Sequence, residues 1–231
     1  MAIDVGAAAQ TSHGASPSFA RLMVICCLVT FGCYFAVFMR LPVIPLFARA
    51  QGVSIAEIGR INAAFFLAAG LLSFPMGMVA DRHGSKPLAA AGVLLLAFTA
   101  CLLSAATTFP RLAGAYLLFG AGIAAFGPTM MALVARIAPA THLGRAYGWY
   151  TTALFGAMSL GPVLGGYMAG AFGFDAVFIT IAVVLACDLG GLLLLLPGRA
   201  GRDGVSLERV AIRATLKALF RNRAIIGCWL V

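Results

Sequence analysis

The stretch GMVADRHGSKP, residues 77–87, gathers charged side chains directly after a long apolar run. It holds one acid, Asp81, the two bases Arg82 and Lys86, and a histidine, so the chemistry open to it is ion pairing. A carboxylate at the carboxyl end of a helix opposes the helix dipole. We therefore expect Asp81 to be compensated by Arg82, Lys86 or the amino terminus of a neighbouring helix. The alternative is an ordinary charged loop that anchors two membrane helices.

Asp188, in VVLACDLGGLL, is a carboxylate well inside an apolar run. A charged acid at such a position costs about 2.5–3.5 kcal/mol on membrane-insertion scales, so something must offset it. Two interpretations stand. Asp188 exchanges a proton, since desolvation favours the neutral acid, or it is a protonated or paired residue that holds helices together.

Four further residues are candidates for a substrate or proton path through the apolar segments: Arg40, Asn62, Phe66 and Tyr116. Arg40 lies two residues before Pro42 and five before Pro45, and these prolines break the helical hydrogen-bond ladder. Arg40 either faces a water-filled cavity and attracts an anionic group or extends to the outer interface, and its depth favours the interface. Asn62 and Phe66 lie one turn apart and either line the cavity or, more commonly for such an Asn, pack between helices.

Patterns typical of soluble enzymes are absent from the sequence. The three histidines lack metal-ligand spacing, and no GxxxxGK[ST] phosphate loop occurs, so we expect no metal, no nucleotide cofactor and no enzymatic activity. GAGIAA at 120–125 matches a loose dinucleotide pattern, but no strand precedes it and helix packing explains it better. The six cysteines are expected to be buried, reduced thiols, five within spans and Cys228 in a last apolar run.

The elements that position these residues are membrane helices. Hydrophobic residues make up 62% of the chain and charged residues 10%, and the mean hydropathy is +1.03, a composition typical of a bilayer protein. Backbone groups in lipid must be satisfied within their own segment, which favours an all-α fold. Ser54 with Glu57 predicts a helix start, and so does Pro110. Six spans of suitable length are predicted at about 22–47, 56–80, 88–107, 111–136, 145–170 and 175–196.

Charge distribution predicts the orientation. With the amino terminus in the cytoplasm, twelve of the sixteen Lys and Arg residues lie on the cytoplasmic side. The formal charge of +9 is thus explained by topology, and nucleic acid is excluded as the partner because the bases sit between lipid-soluble helices. The four at or toward the outer side are Arg40, Arg49, Arg60 and Arg111.

The charged stretch at 77–87 resembles the loop between the second and third helices of the major facilitator superfamily, whose pattern is roughly GxLADRxGRK. Val79 stands for Leu and Ser85 for a base. The resemblance implies a conformational latch, carried by Asp81 and Arg82, that holds two halves of a transporter outward-facing and releases them during the cycle. The matching residues are Gly77, Ala80, Asp81, Arg82, Gly84 and Lys86.

The fifth span, GWYTTALFGAMSLGPVLGG at 148–166, is similar to the antiporter motif GxxxxxxxxGxxxGPxxGG of that family. Ala157 stands where the second glycine belongs, and Pro162 is expected to bend the helix. Ala153, Ala157, Gly161 and Gly165 form a small-residue stripe suited to close packing in any case. The motif implies an exporter that exchanges substrate for protons. Its other matching residues are Gly148, Gly161, Pro162, Gly165 and Gly166.

The fourth span, YLLFGAGIA, is similar to the family motif RxxQGxGAA but differs at its polar positions. Tyr116 replaces the arginine, which is linked to proton coupling in the family, and Phe119 replaces the glutamine. Gly120, Gly122 and Ala124 match.

The resemblance implies the amino-terminal half of a transporter, because family members contain two six-helix bundles, each a pair of inverted three-helix repeats. We expect a multi-pass inner-membrane protein that exports a sugar or drug-like molecule, with protons as the coupling ion. Its partners would be the lipid bilayer, a small-molecule substrate, and the missing carboxy-terminal half or a second copy. The rivals are an uptake symporter or uniporter and a non-transporting scaffold. The predicted organisation is a disordered tail at 1–19, the bundle at 20–197, a basic amphipathic linker at 198–222 and the start of a truncated seventh helix at 223–231.

Overall fold

The computed structural model describes residues 19–106 and 108–196. The predicted tail, apart from residue 19, the linker at 198–222 and the seventh-helix segment at 223–231 lie outside the described residues.

The described chain is helical apart from short connections, and it supplies six segments long and apolar enough to cross a membrane, which confirms the six predicted spans. The first span is two helices, α1 and α2, separated at residues 40–42 as the two prolines predict. A short 3-10 turn, Ala140–His142, precedes α6. The helices are α1 Phe19–Met39, α2 Val43–Ala50, α3 Ile55–His83, α4 Ser85–Ser104, α5 Phe109–Ile137, α6 Leu143–Phe172 and α7 Phe174–Leu195.

Local sequence signals set the helix ends. The Ser54 side chain accepts a hydrogen bond from the Glu57 backbone N–H at 3.3 Å, and Glu57 accepts one from the Ser54 N–H at 3.0 Å, completing the predicted capping box of α3. Pro110 lies in the first turn of α5, as expected. Gly84 adopts φ +94°, which only glycine tolerates easily, and so lets the chain pass directly from α3 into α4.

The packing pattern follows an internal repeat. The first span packs through α1 on the fifth span, α6, and the second span, α3, packs on the fourth, α5. In an inverted repeat, span one corresponds to span four, span two to span five and span three to span six. The pair formed by spans one and five therefore corresponds to the pair formed by spans four and two, and both pairs are present. The remaining large contacts join α4 to α5, and α7 to α4 and α1.

Glycines bring both repeat-related pairs to backbone contact. A Cβ on Gly161 of α6 would lie 2.9 Å from the Met39 nitrogen of α1, and one on Gly165 would overlap the Met39 carbonyl oxygen. In the second pair, a Cβ on Gly120 of α5 would lie 2.7 Å from the Phe65 carbonyl oxygen of α3. Small residues therefore set the helix separation, as is typical of bundles in lipid.

Two spans are scarcely covered by the rest of the described chain. In the most apolar stretch of α3 only 6% of the residues are buried, and in that of the fifth span 17%, against 56% in α5. A Cβ added to Gly70 or Gly77 on the outward face of α3 would have no heavy atom within 4 Å. With Ser73 these two glycines form a stripe of small residues along α3, and no described residue packs on the glycines.

The prediction for the cysteines is partly wrong. All five described cysteines are free thiols, but Cys101 of α4 and Cys187 of α7 are exposed on the outside of the bundle. An apolar span has an outward face as well as a core face, so membership of a span does not imply burial within the protein. Cys228 lies outside the described residues.

Replacing Gly165 by alanine tests the backbone contact. Because its Cβ would overlap the Met39 carbonyl, we expect Gly165→Ala to lower the free energy of unfolding by about 1–3 kcal/mol, the usual cost of overpacking. The matched control is Gly166→Ala, whose Cβ meets no heavy atom within 4 Å and which gains helix propensity. Denaturant unfolding in detergent measures both, and equal stability of the two variants would contradict the contact.

Candidate functional site

Asp81 pairs with a residue that the sequence did not single out. Its Oδ1 accepts a hydrogen bond from Nη2 of Arg136 at 3.0 Å, forming an ion pair between the last turns of α3 and α5. The expectation of compensation from Arg82, Lys86 or a helix amino terminus is wrong, because the packing of α3 on α5 brings the two helix ends side by side. The Asp81 side chain is 66% exposed, so the pair lies at an aqueous edge of the bundle.

Lys86 has a different role in the structure. Its Nζ donates to the carbonyl oxygen of Leu193 at 2.8 Å and also to that of Leu196. These carbonyls belong to the last turn of α7 and the residue after it, where a cation is favourable to the helix dipole. Lys86 therefore ties the start of α4 to the end of α7.

The other residues of the 77–87 loop lie around these two contacts. Arg82 is exposed, and Gly84 makes the turn. Gly77 lies one turn before Asp81 with open space beside it. The loop thus carries one ion pair, one helix cap and one exposed cation.

Arg40 is buried rather than interfacial, so the position favoured by its depth is wrong. The side chain is 4% exposed, and its guanidinium carbon lies 3.0 Å from the ring centre of Phe119, 4.7 Å from that of Tyr116 and 6.0 Å from that of Phe65. The break between α1 and α2 carries the side chain inward onto α3 and α5 instead of along the helix toward the interface. Cation–π attraction offsets part of the cost of burying the charge.

The guanidinium of Arg40 is incompletely satisfied. Its Nε and Nη1 are buried and have no hydrogen-bond partner among the described residues. Tyr116 and Phe119 occupy the two positions at which the family motif carries arginine and glutamine, so a cation from the first span stands over the residue that replaces the family arginine. Sequence analysis missed Phe65, whose only signal was its place in an aromatic pair on α3.

Asp188 lies between α7 and α1. Its carboxylate sits against Gly32, where a Cβ would overlap both oxygens, so only glycine leaves room for it. Its Oδ2 is buried with no hydrogen-bond partner in the described part of the chain, and no ion pair of Asp188 is found there. The paired-acid alternative therefore has no support among these residues. Sequence analysis missed Gly32, which carries no motif.

Arg40, which is buried, and Asp188, which is half-buried, lie apart from each other. Gly32 precedes Arg40 by eight residues on the same span, which is about 12 Å of helix. Asn62 is half-buried on α3, while Phe66 points outward and is exposed, with its ring 5.0 Å from that of Phe65. The structure brings together Arg40 and Tyr116, but it does not bring Phe66 to them.

The antiporter-type motif divides between two faces of α6. Ala157, Gly161 and Gly165 are buried, and the two glycines contact α1. A Cβ at Gly148 or Gly166 would meet open space. Pro162 lies within the helix. No group of His, Cys, Asp and Glu with metal-binding geometry occurs among the described residues.

A bundle of six membrane-length helices that encloses the ionisable side chain of Arg40 defines an α-helical, multi-pass membrane protein. The family model of the Major Facilitator Superfamily matches residues 26–231, and the chain belongs to that family.

Similar sequences include named drug-resistance proteins. The chain is 30% identical to the multi-drug resistance efflux pump PmrA homolog of Lactococcus lactis and 31% identical to the multidrug resistance protein MdtG of Dickeya zeae, in each case over 67% of this chain and 40% of the relative. It is 26% identical to the quinolone resistance protein NorA of Staphylococcus aureus, over 56% of this chain and 33% of the relative. The chain thus spans about 40% of the length of the first two relatives.

Solved structures share the fold at low sequence identity. Tetrameric PepTSo2 matches with a TM-score of 0.71 at 16% identity, over 92% of this chain and 51% of that one. The human organic anion transporter MFSD10 matches with a TM-score of 0.66 at 18% identity, over 79% of this chain and 48% of that one.

The Lys86 contact generates a stability prediction. Lys86→Met keeps the aliphatic stem but removes the donors to the Leu193 and Leu196 carbonyls, so we expect a loss of about 1–2 kcal/mol in the free energy of unfolding. Lys86→Arg should restore part of it. Arg82→Met is the matched control, since Arg82 is an exposed cation of the same loop. Thermal unfolding in detergent measures the stability of each variant. An unchanged unfolding midpoint for Lys86→Met would rule out a stabilising contact of Lys86 with the end of α7.

Proposed function

We propose that this chain forms the amino-terminal half of a transporter that exports a drug-like molecule by alternating access in exchange for protons. The observation that carries the proposal is the pair of ionisable side chains, the buried Arg40 and the half-buried Asp188, each of which has a buried polar atom without a described hydrogen-bond partner between membrane-length helices. Ionisable groups inside membrane spans are expensive, and they mark substrate or proton pathways by default. The names of the relatives, multidrug and quinolone resistance proteins, support drug-like cargo and the outward direction.

The uncovered spans support the proposal that a second bundle completes the transporter. α3 and α6 present largely unburied apolar faces, and α3 adds its open stripe of small residues. Small-residue stripes are used for close helix contact in lipid. The carboxy-terminal half, or a second copy of this chain, covers the face of α3 and the exposed face of α6 from about residue 155 onward in the proposed assembly. The amino terminus lies in the cytoplasm, in keeping with the distribution of basic residues.

Asp188 is the proposed proton carrier. Binding a proton neutralises the carboxylate and removes the cost of holding a charge between α7 and α1, where no described cation balances it. Loss of the proton requires water to reach the carboxylate. Alternating access supplies that water on one side of the membrane at a time, which couples proton release to the direction in which the transporter opens.

Arg40 is the proposed anchor for an anionic or strongly polar group of the substrate. A guanidinium has five N–H donors and no acceptor, and two of its three nitrogens here lack a described partner. The surrounding rings of Phe65, Tyr116 and Phe119 provide an apolar, aromatic wall typical of small-molecule sites. In this proposal Arg40 takes the place of the family arginine that Tyr116 replaces.

Asp81 and Arg136 form the proposed latch of the 77–87 loop. Exposed ion pairs contribute only about 0–1 kcal/mol, so this pair can break and reform within a transport cycle at little cost. A pair of that strength biases a conformational equilibrium without locking it.

An Asp188→Asn variant of the assembled transporter tests the proton carrier. The amide cannot exchange a proton, so we expect transport driven by a pH gradient to disappear while substrate exchange without a gradient survives. Asp175→Asn, at the exposed start of the same helix, is the matched control and should transport normally. Substrate uptake into inverted membrane vesicles, with and without a pH gradient, gives both rates. If Asp188→Asn keeps its full response to the gradient, Asp188 is not the carrier.

Moving the cation tests Arg40. Arg40→Gln should lower transport about 10–100-fold, the loss of a charge-assisted hydrogen bond worth about 1.5–3 kcal/mol. The double variant Arg40→Gln/Tyr116→Arg should recover much of the lost transport. An arginine at position 116 places a guanidinium beside the position that the Arg40 guanidinium now occupies. Arg60→Gln is the control, an exposed arginine that stacks on Phe109. Normal transport by Arg40→Gln, or no recovery in a double variant that inserts normally, would refute the proposed anchor.

The rival functions make different predictions in the same vesicles. An uptake symporter accumulates substrate with the proton flux rather than against it, and a uniporter ignores the gradient. A scaffold moves no substrate in any variant.

A further inference from the structure

A groove separates α1 and α6 near the ends at which both helices begin. Its volume is about 380 Å³, and its walls are almost wholly apolar. Val24, Leu28 and Phe31 line one side, and Trp149 and Ala153 line the other. These residues lie five to twelve positions into α1 and six to ten positions into α6, so the groove occupies about the same depth on both helices.

Two arginines lie about one helical turn beyond the groove, toward that end. The guanidinium carbon of Arg145 stands 5.0 Å from the ring centre of Trp149, four residues later on α6. Arg21 is exposed and precedes the lining residue Val24 by three positions, which places both on one side of α1. Neither arginine forms an ion pair with any described residue. An apolar slot therefore ends at two positive charges that no acid of the described chain neutralises.

We propose that this groove binds an anionic phospholipid, with an acyl chain along the slot and the phosphate between Arg21 and Arg145. Arginine recognises phosphate in a planar, two-pronged geometry, and the apolar walls offer no partner to a polar ligand. A tryptophan beside the arginines is typical of the level at which headgroups meet acyl chains. Basic pockets between membrane helices bind anionic headgroups in this way.

Charge complementarity favours a lipid over a protein helix as the occupant. A helix in the slot would have to supply carboxylates at one end to match the two arginines, whereas an anionic lipid combines one negative headgroup with one apolar chain. On the proposed orientation the site faces the cytoplasmic leaflet, where anionic lipids attract basic side chains.

Trp149 provides the probe. The sequence has two tryptophans, so Trp229→Phe in the 231-residue chain leaves Trp149 as the single emitter, at the groove itself. The chain is reconstituted in vesicles that contain a small fraction of brominated phosphatidylglycerol or brominated phosphatidylcholine. We expect the relative association constant from quenching to favour the anionic lipid about tenfold or more.

Charge and shape variants separate the two parts of the site. Arg21→Gln and Arg145→Gln should each reduce the preference for phosphatidylglycerol about fivefold, the effect expected of one basic residue near an anionic surface. Arg21→Gln does not alter the cation that stacks on Trp149, so its effect cannot come from a change in the emitter. Ala153→Phe fills the slot and should lower quenching by the anionic lipid with both arginines in place. Arg49→Gln with Arg111→Gln, exposed arginines at the opposite end of the helices, should change nothing.

Three results would overturn the proposal. Equal quenching by the two lipids means that the groove meets ordinary bilayer lipid without selection. Quenching by neither means that protein, either a second bundle or a second copy of the chain, fills the slot. An unchanged preference in both arginine variants means that the charges do not hold the headgroup.

Discussion

Backbone contact between helices is the constraint on which the rest of this structure depends. Lipid tails are as apolar as leucine, so no hydrophobic force drives one membrane helix against another, and close packing must supply the attraction. Gly161 and Gly165 let α6 touch the backbone of α1 at Met39, and Gly120 lets α5 touch α3 at Phe65. These contacts join the first span to the fifth and the second to the fourth. Both of the helix pairs that the repeat relates are therefore held by close contact at glycine.

The functional candidates take their positions from those contacts. Met39 precedes Arg40, so the contact that fixes the end of α1 also fixes the residue at the break. The packing of α3 on α5 places the rings beneath the guanidinium, and at the far ends of the same two helices it joins Asp81 to Arg136. A change in the angle between α3 and α5 would therefore act on the buried cation and on the surface ion pair together.

Sequence patterns predicted whatever is local or periodic. The six spans, the capping box at Ser54 and the helix start at Pro110 follow from hydropathy and helix-end chemistry. Side-chain partners across the bundle could not be predicted, because they join positions far apart in sequence: Asp81 meets a residue 55 positions away, and Lys86 one 107 positions away. Arg40 was misplaced because depth alone ignores the direction that a helix break gives a side chain. The contact of the Asp188 carboxylate with Gly32 follows only from the packing of α7 on α1, which the sequence does not show.

The central claim is that this bundle meets a second bundle through α3 and α6 rather than through α4, and that a second copy takes this place when the 231-residue chain is alone. Cysteine cross-linking in membranes tests it most directly. With the six native cysteines removed, a single cysteine is placed at Leu71 on α3, which is 68% exposed, or at Leu94 on α4, which is 58% exposed. The account predicts a covalent dimer of the 231-residue chain for Leu71→Cys and monomer for Leu94→Cys. Equal cross-linking at both positions, or monomer at both, would contradict it.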